Sequence, residues 1–376
     1  MKHLVCAALL AACGTDAHPI DLSIPGTQVL VTEKVNGGAW KKLSGDFDSV
    51  ANATTYAIEI GDEYELAVVC VRSGPRDAGQ FVAGEVFGTS DDPEVTLGSW
   101  KVPNCLVSEA GIPDTTGAAI KVSGTFDEAM KLSIGVRTPI NVGPGQAFSF
   151  TVDSGLHDLV AYSNTKMLIQ HDLHLDADTT LDPVHVASDG SSILTAVVPT
   201  IGDAEDGAPL VSDQLFTRNH TLFVFQNEDP AGALFVPVEM LEPGDEQKFY
   251  VEFFSQMQVR LVELSDPTRI GDATLLPRIE AVTPHSDELG ATWTPLSEFY
   301  TTATLTTYAP STNGSRQTVT ASKSWLARHG EGELEFDLAV DGYDPSWTTA
   351  FPFTLTLTRW SPGLVVSTSM DLFQTP

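Results

Sequence analysis

Basic residues are scarce in this chain: 20 Lys and Arg stand against 50 Asp and Glu, for a formal net charge of −30. Binding to nucleic acid rests on basic side chains that neutralise phosphates, so that class of partner is excluded. The same imbalance opposes close approach of the body to an anionic lipid surface. Charged residues are only 19% of the chain, so the acidity comes from missing Lys and Arg, not from acidic runs. Long apolar runs are missing too. A spanning helix needs roughly 20 apolar residues, and no segment reaches that length free of a charge or a proline. Helical patterning is nearly absent. So are the local signatures of common catalysts: there is no Gly-x-Ser-x-Gly elbow, no His-Glu-x-x-His pair and no Gly-x-x-x-x-Gly-Lys loop. Paired carboxylates for glycoside hydrolysis come from distant strands and leave no local spacing. No catalytic or cofactor-binding residue is therefore assigned, and an enzyme is not indicated.

Cysteine is used only four times, at Cys6, Cys13, Cys70 and Cys105. The first two lie in an N-terminus with the layout of a secretory signal. Lys2 supplies positive charge, Leu4 to Leu10 form a short apolar core, and Ala11-Ala12 are small enough for a peptidase groove. The stretch Leu10-Ala11-Ala12-Cys13 resembles the lipobox of a bacterial lipoprotein. That resemblance implies removal of residues 1–12 and a lipid on the Cys13 sulfur. Gly14, standing where aspartate would favour inner-membrane retention, points to the outer membrane, on its periplasmic or surface-exposed side. Each buried acyl methylene contributes about 0.8 kcal/mol, so more than one chain makes the anchoring stable.

Residues 13–27, with two prolines and little periodicity, are expected to form a tether. With Cys6 cleaved and Cys13 lipidated, Cys70 and Cys105 remain. An oxidising compartment makes a disulfide between them the expectation. In the chain-entropy model such a bond stabilises by ~3–4 kcal/mol. The alternative is two buried thiols, since Cys70 ends the apolar run Leu66-Ala67-Val68-Val69-Cys70-Val71.

What is abundant is period-2 alternation, the mark of half-buried strands. Tyr56, Ile58 and Ile60 alternate with polar or small residues, as do Leu132, Ile134 and Val136, and Phe148, Phe150 and Val152. Leu334, Phe336, Leu338 and Val340 repeat the pattern, and Phe353, Leu355 and Leu357 interleave with threonines. The Phe249-Tyr250-Val251-Glu252-Phe253-Phe254 run reads as a central strand. Asn36-Gly37 and Asn313-Gly314 favour tight hairpin turns, and Gly143-Pro144-Gly145, Pro243-Gly244 and Ser361-Pro362-Gly363 mark further turns. Only Ser322 to Gly330 suggests a helix, with Gly330 as its cap. The fold class is all-β, as tandem antiparallel, Ig-like β-sandwich modules behind the lipid tether. Loop composition divides the chain into a module at 28–112, a β-rich domain of one or two modules at 117–285, and a C-terminal module at 290–376.

Three places offer chemistry. His171-Asp172-Leu173-His174-Leu175-Asp176 holds raw material for a metal site. On one strand, however, His171 shares a face with Leu173 and Leu175, while Asp172, His174 and Asp176 share the other. Asp172, His174 and Asp176 are thus the metal candidates, against a polar strand face with His171 at a core edge. Read as an EF-hand, the acidic loop after Asp176 puts Leu181 where glycine is needed and Ala187 where glutamate is needed. An irregular calcium loop there, or at Asp203 to Asp206, is left as an alternative to solvated acidic turns. Tyr343, Trp347 and Trp360 are candidates for an aromatic ligand platform, against ordinary core packing.

The lipobox, the hairpin leading to Gly38-Ala39-Trp40 and the strand Tyr64-Glu65-Leu66-Ala67-Val68-Val69-Cys70 together resemble uncharacterised β-rich lipoproteins of myxobacteria-type predatory bacteria. The resemblance covers the N-terminal part of the chain and implies no activity. The functional expectation is a lipid-anchored cell-envelope protein with a binding, adhesion or assembly role. Its partners are then the membrane, through the anchor, and an envelope protein or glycan. A lipid-anchored hydrolase of glycans or peptides, or a carbohydrate- or calcium-binding module, is the alternative.

Overall fold

The computed structural model describes residues 18–25, 29–48, 53–71, 81–91, 93, 96–97, 119–126, 128–135, 140–163, 165–196, 206, 208–219, 221–227, 233–255, 257–285, 289–308, 316–337, 339–340 and 353–372. The architecture is all-β, with several sheets. Among the described residues, no helix is long and apolar enough to cross a membrane.

The expected alternation is what the core uses. Phe353, Leu355 and Leu357 are buried while Thr354, Thr356 and Thr358 face outward. Phe148, Phe150 and Val152 are buried on the strand Ala147–Asp153. Full burial of such a side chain stabilises by ~1.5–3 kcal/mol. Asn36 and Gly37 both have positive φ, 50° and 68°, as the tight turn between Val29–Val35 and Lys41–Lys42 requires. The helix Lys323–His329 forms where expected. Ser322 caps it by accepting a hydrogen bond from the Trp325 N–H, and Gly330 closes it.

Two sandwich-like pairs of layers are evident. The three-stranded sheet of His18–Pro25, Ala53–Ile60 and Asp46–Asp48 encloses a core with Val31, Tyr64, Leu66, Val68 and Val86. His18–Pro25 pairs antiparallel with Ala53–Ile60 along its whole length, so part of the expected tether is a strand of the body. Farther along, a five-stranded sheet that includes Met130–Ile134, Gly155–Ser163 and Lys166–Leu175 packs on Ala147–Asp153 and Ala119–Thr125. Their shared core contains Leu132, Ile134, Phe148 and Phe150.

A 12-stranded sheet joins the rest. From one edge it runs Leu222–Asn227, Leu210–Phe216, Glu246–Phe254, Gln258–Leu264, Leu364–Leu372, Phe353–Ser361, Thr302–Tyr308 and Arg316–Ser322. It continues through Phe81–Thr89, Glu63–Val71, Val29–Val35 and Lys41–Lys42. The three segments expected as modules therefore each contribute strands to one sheet. The parallel pairing of Arg316–Ser322 with Phe81–Thr89 joins the last segment to the first. Pairing across segments satisfies backbone groups that a free sheet edge would expose. The helix Lys323–His329 reinforces the junction: Arg328 meets Asp91 at 3.0 Å and His329 meets Glu63 at 3.1 Å.

One face of this sheet is the main core, lined by Val211, Phe249, Val251, Phe253, Val262, Leu355 and Val366. The opposite face, over the 210–264 and 353–372 strands, carries the functional candidates.

Candidate functional site

On that outer face, ladder pairing brings residues of separate strands into one row. Trp360 pairs with Val365, Val365 with Glu263, Glu263 with Tyr250, and Tyr250 with Ser212. Trp360 is half-buried. It sits at the end of the hairpin whose turn is Pro362-Gly363, where Gly363 has φ 74°. The indole borders a cleft of about 500 Å³, which Asp245, Lys248, Glu263, Ser265 and Val365 also line. Lys248 Nζ and a Glu263 carboxylate oxygen are 4.0 Å apart, with Lys248 half-exposed. At that distance and exposure the pair contributes little to stability. Both groups stay available to a ligand.

A neutral donor, the Tyr250 phenol, stands beside the charged pair on the neighbouring strand. Burial, followed by the carboxylates of Glu263, Glu252 and Glu246, pushes the Tyr250 phenol up to about 12, so it keeps its proton at physiological pH. Burial also raises Glu252 above its ordinary value. An aromatic plate rimmed by the Lys248 ammonium, the Glu263 carboxylate and Ser265 can bind an amphipathic ligand such as a sugar, with polar groups fixing its orientation.

The sequence candidates are distributed as follows. Trp360 lines the cleft, whereas Tyr343 and Trp347 lie outside the described residues. Cys13 and Cys105 also lie outside them, and Cys70 is buried on the strand Glu63–Val71. His174 pairs with Asp176 at 2.7 Å on the open surface, both side chains about two-thirds exposed. Asp172 turns away from that pair, with one carboxylate oxygen on Arg218 and the other on Asn219. It adopts φ 60°, rare outside glycine. His171, on the alternate face, is nearly buried beside Asp158, as the core-edge reading anticipates.

Of the calcium-loop candidates, Asp203 lies outside the described residues. Asp206 is buried between the guanidiniums of Arg260 and Arg278. Its charge is matched by those two cations, and it is a buried ion-pair partner where a solvated acidic turn is the simpler expectation. Lys248 and Glu263 are not among the sequence candidates. The alternation within Glu246–Phe254, which puts Lys248, Tyr250 and Glu252 on one face, was the available signal.

Fold and site together define an all-β, multi-sheet protein with a ligand-sized cleft on an outer sheet face. No family model matches the chain, and no curated protein matches it. Among solved structures, it is similar to the crystal structure of chicken CNTN1 FN1-FN3 domains, at 10% identity over 96% of each chain, with a TM-score of 0.17.

Proposed function

We propose that this is a lipid-anchored protein of the bacterial outer membrane with a non-enzymatic binding role, and that its ligand is an envelope glycan held in the Trp360 cleft. The observation that carries the reading is the placement of the indole beside Lys248 and Glu263 in a cleft of about 500 Å³. Trp360→Ala should weaken binding of solubilised envelope glycan at least ~10-fold, by losing a stacking surface of roughly 1.4 kcal/mol or more. Calorimetry on the mature chain tests it. Equal affinity of wild type and variant, or no binding by either, would sink the glycan reading.

The anchor is supported by the lipobox and by the position of the strand His18–Pro25, which enters the body close behind Cys13. An intervening chain reaching at most ~3.5 Å per residue would hold the body near the bilayer. The same oxidising compartment would carry the Cys70–Cys105 disulfide, and Cys70 is an engaged rather than a free thiol. One set of samples checks both. Cys13→Ala should move the protein from the membrane to the soluble fraction with the acyl mass lost. Thiol labelling of denatured, unreduced wild type should leave Cys70 and Cys105 unmodified. Unchanged fractionation and mass rule out the anchor, and labelling of both cysteines rules out the bond.

A further inference from the structure

Where the smaller sandwich meets the 12-stranded sheet, side chains from four separate segments converge. Asp158 comes from Gly155–Ser163, at the point where its register with Lys166–Leu175 shifts. His171 comes from the facing strand, Arg218 and Asn219 from the turn after Leu210–Phe216, and Glu242 and Asp245 from the loop before Glu246–Phe254. One imidazole nitrogen of His171 and one carboxylate oxygen each of Asp158 and Asp245 lie within 4.8 Å of one another.

Three observations separate this group from an ordinary polar junction. Asp158 is fully buried, yet among the described residues no hydrogen bond of normal geometry reaches its Oδ2 or the buried Nδ1 of His171. These two atoms face each other at 3.3 Å. Two lone pairs opposed at that distance repel unless a proton or a cation lies between them. Second, the surrounding groups hold the ligand atoms in place. Asp158 Oδ1 accepts from the Asp172 N–H and the Asn219 amide, each at 2.9 Å, which leaves Oδ2 free to coordinate. Asp245 accepts the Arg218 N–H on one oxygen and the Glu242 N–H on the other, keeping a lone pair on each. Across the ring, His171 Nε2 lies 3.9 Å from Glu242 Oε1. A carboxylate on the far nitrogen is the usual orienting partner of a metal-bound imidazole.

Third, charge favours a cation. Arg218 is turned onto Asp172 at 2.7 Å and Glu242 at 2.8 Å. Its guanidinium thus serves those two groups, leaving the Asp158 and Asp245 carboxylates facing His171. We propose that Asp158 Oδ2, His171 Nδ1 and Asp245 bind one divalent transition-metal ion of the Zn²⁺ class. One imidazole and two carboxylates form a borderline donor set. Calcium would require six to eight oxygens. Ligand atoms around tetrahedral zinc sit about 3.4 Å apart, so side-chain rotation of about an ångström closes the present spacing. Three protein ligands leave a fourth position for water or a ligand group, and Asp245 also lines the Trp360 cleft.

The test is titration of the full mature chain with Zn²⁺ by calorimetry, and with Co²⁺ by visible absorption. One ion per chain is expected, with tetrahedral-type Co²⁺ bands. His171→Ala and Asp245→Asn should each weaken binding at least ~100-fold, while His174→Ala, in the exposed pair with Asp176, should leave it unchanged. Asp245→Asn retains size and one acceptor oxygen, so it carries the test if His171→Ala does not fold. Absence of saturable one-to-one binding overturns the proposal. So does binding that survives both site variants, or binding lost in His174→Ala.

Discussion

Replacing Asp206 with alanine is expected to destabilise the protein by about 3–5 kcal/mol, the typical cost of removing one partner from a buried ion pair. The Asp206 carboxylate is 2% exposed and lies between two guanidiniums, that of Arg260 at 7% and that of Arg278 at 17%. Arg260 points to the core face of the 12-stranded sheet, where its neighbours Val262 and Leu264 are fully buried. Its Nη1 is 3.4 Å from the Leu276 carbonyl. Arg278 donates to Asp206 at 2.7 Å and to the Ser255 hydroxyl at 2.6 Å. Alanine at 206 would leave two desolvated cations without their shared anion, and neither can lose its proton at any ordinary pH. Urea unfolding followed by circular dichroism measures the loss. Combining Asp206→Leu with Arg260→Met should recover part of it, because a buried ion pair replaced by apolar groups is often neutral. A loss under ~1 kcal/mol for Asp206→Ala, as at an exposed pair, would refute the account.

Asp206 also marks the limit of what the sequence discloses. Strand positions were legible because alternation is local: Tyr56, Ile58 and Ile60, or Phe353, Leu355 and Leu357, declare a buried face within a few residues. The Asn36-Gly37 turn and the Ser322-capped helix were legible for the same reason. Strand partners were not. Nothing in Arg316–Ser322 announces that its neighbour is Phe81–Thr89, since any half-buried strand offers the same backbone groups.

The strand His18–Pro25 falls in the stretch expected as tether although Ile20, Leu22 and Ile24 alternate with Asp21 and Ser23. The prolines at its second and last positions, tolerated at strand ends, masked the signal. The proposed metal ligands were illegible in a stronger sense. His171 stands out in the sequence, but Asp158 reaches it only through the register shift after His157, and Asp245 arrives from a distant loop. Bulges re-aim side chains in ways periodicity cannot show. Trp360 is a candidate from sequence because an aromatic ring on a sandwich surface can form a platform for sugars. Its companions Lys248 and Glu263 are ordinary residues until the ladder places them together.

Asp213 is the counterpart of Asp206: a buried carboxylate with no cation among the partners that shift it. It occupies a core-face position of Leu210–Phe216 and is fully buried. Burial raises its pKa from 3.8 to about 7, against the lowering effect of hydrogen bonds from the Val236 N–H and the Gln247 amide. Those bonds, at 2.8 and 2.9 Å, both reach Oδ2, while Oδ1 has no hydrogen-bond partner among the described residues. Because the folded pKa lies above the unfolded one, the folded state holds the extra proton between them. The contribution of Asp213 to stability is therefore complete below about pH 4 and falls as pH rises through about 7.

At 1.36 kcal/mol per pKa unit, about three units correspond to a loss on the order of 4 kcal/mol by pH 8. Asp213→Asn keeps an acceptor oxygen for Val236 and Gln247 and cannot ionise. It should be within ~1 kcal/mol of wild type at pH 4 and more stable by ~2–4 kcal/mol at pH 8. Part of the alkaline slope should persist in the variant, because burial also holds Glu85 well above its ordinary value despite the bond from the Asp337 N–H. Urea midpoints at pH 4, 6 and 8 decide the matter. A stability difference that does not grow with pH would show that Asp213 is ionised in the fold, with its charge solvated or paired after all.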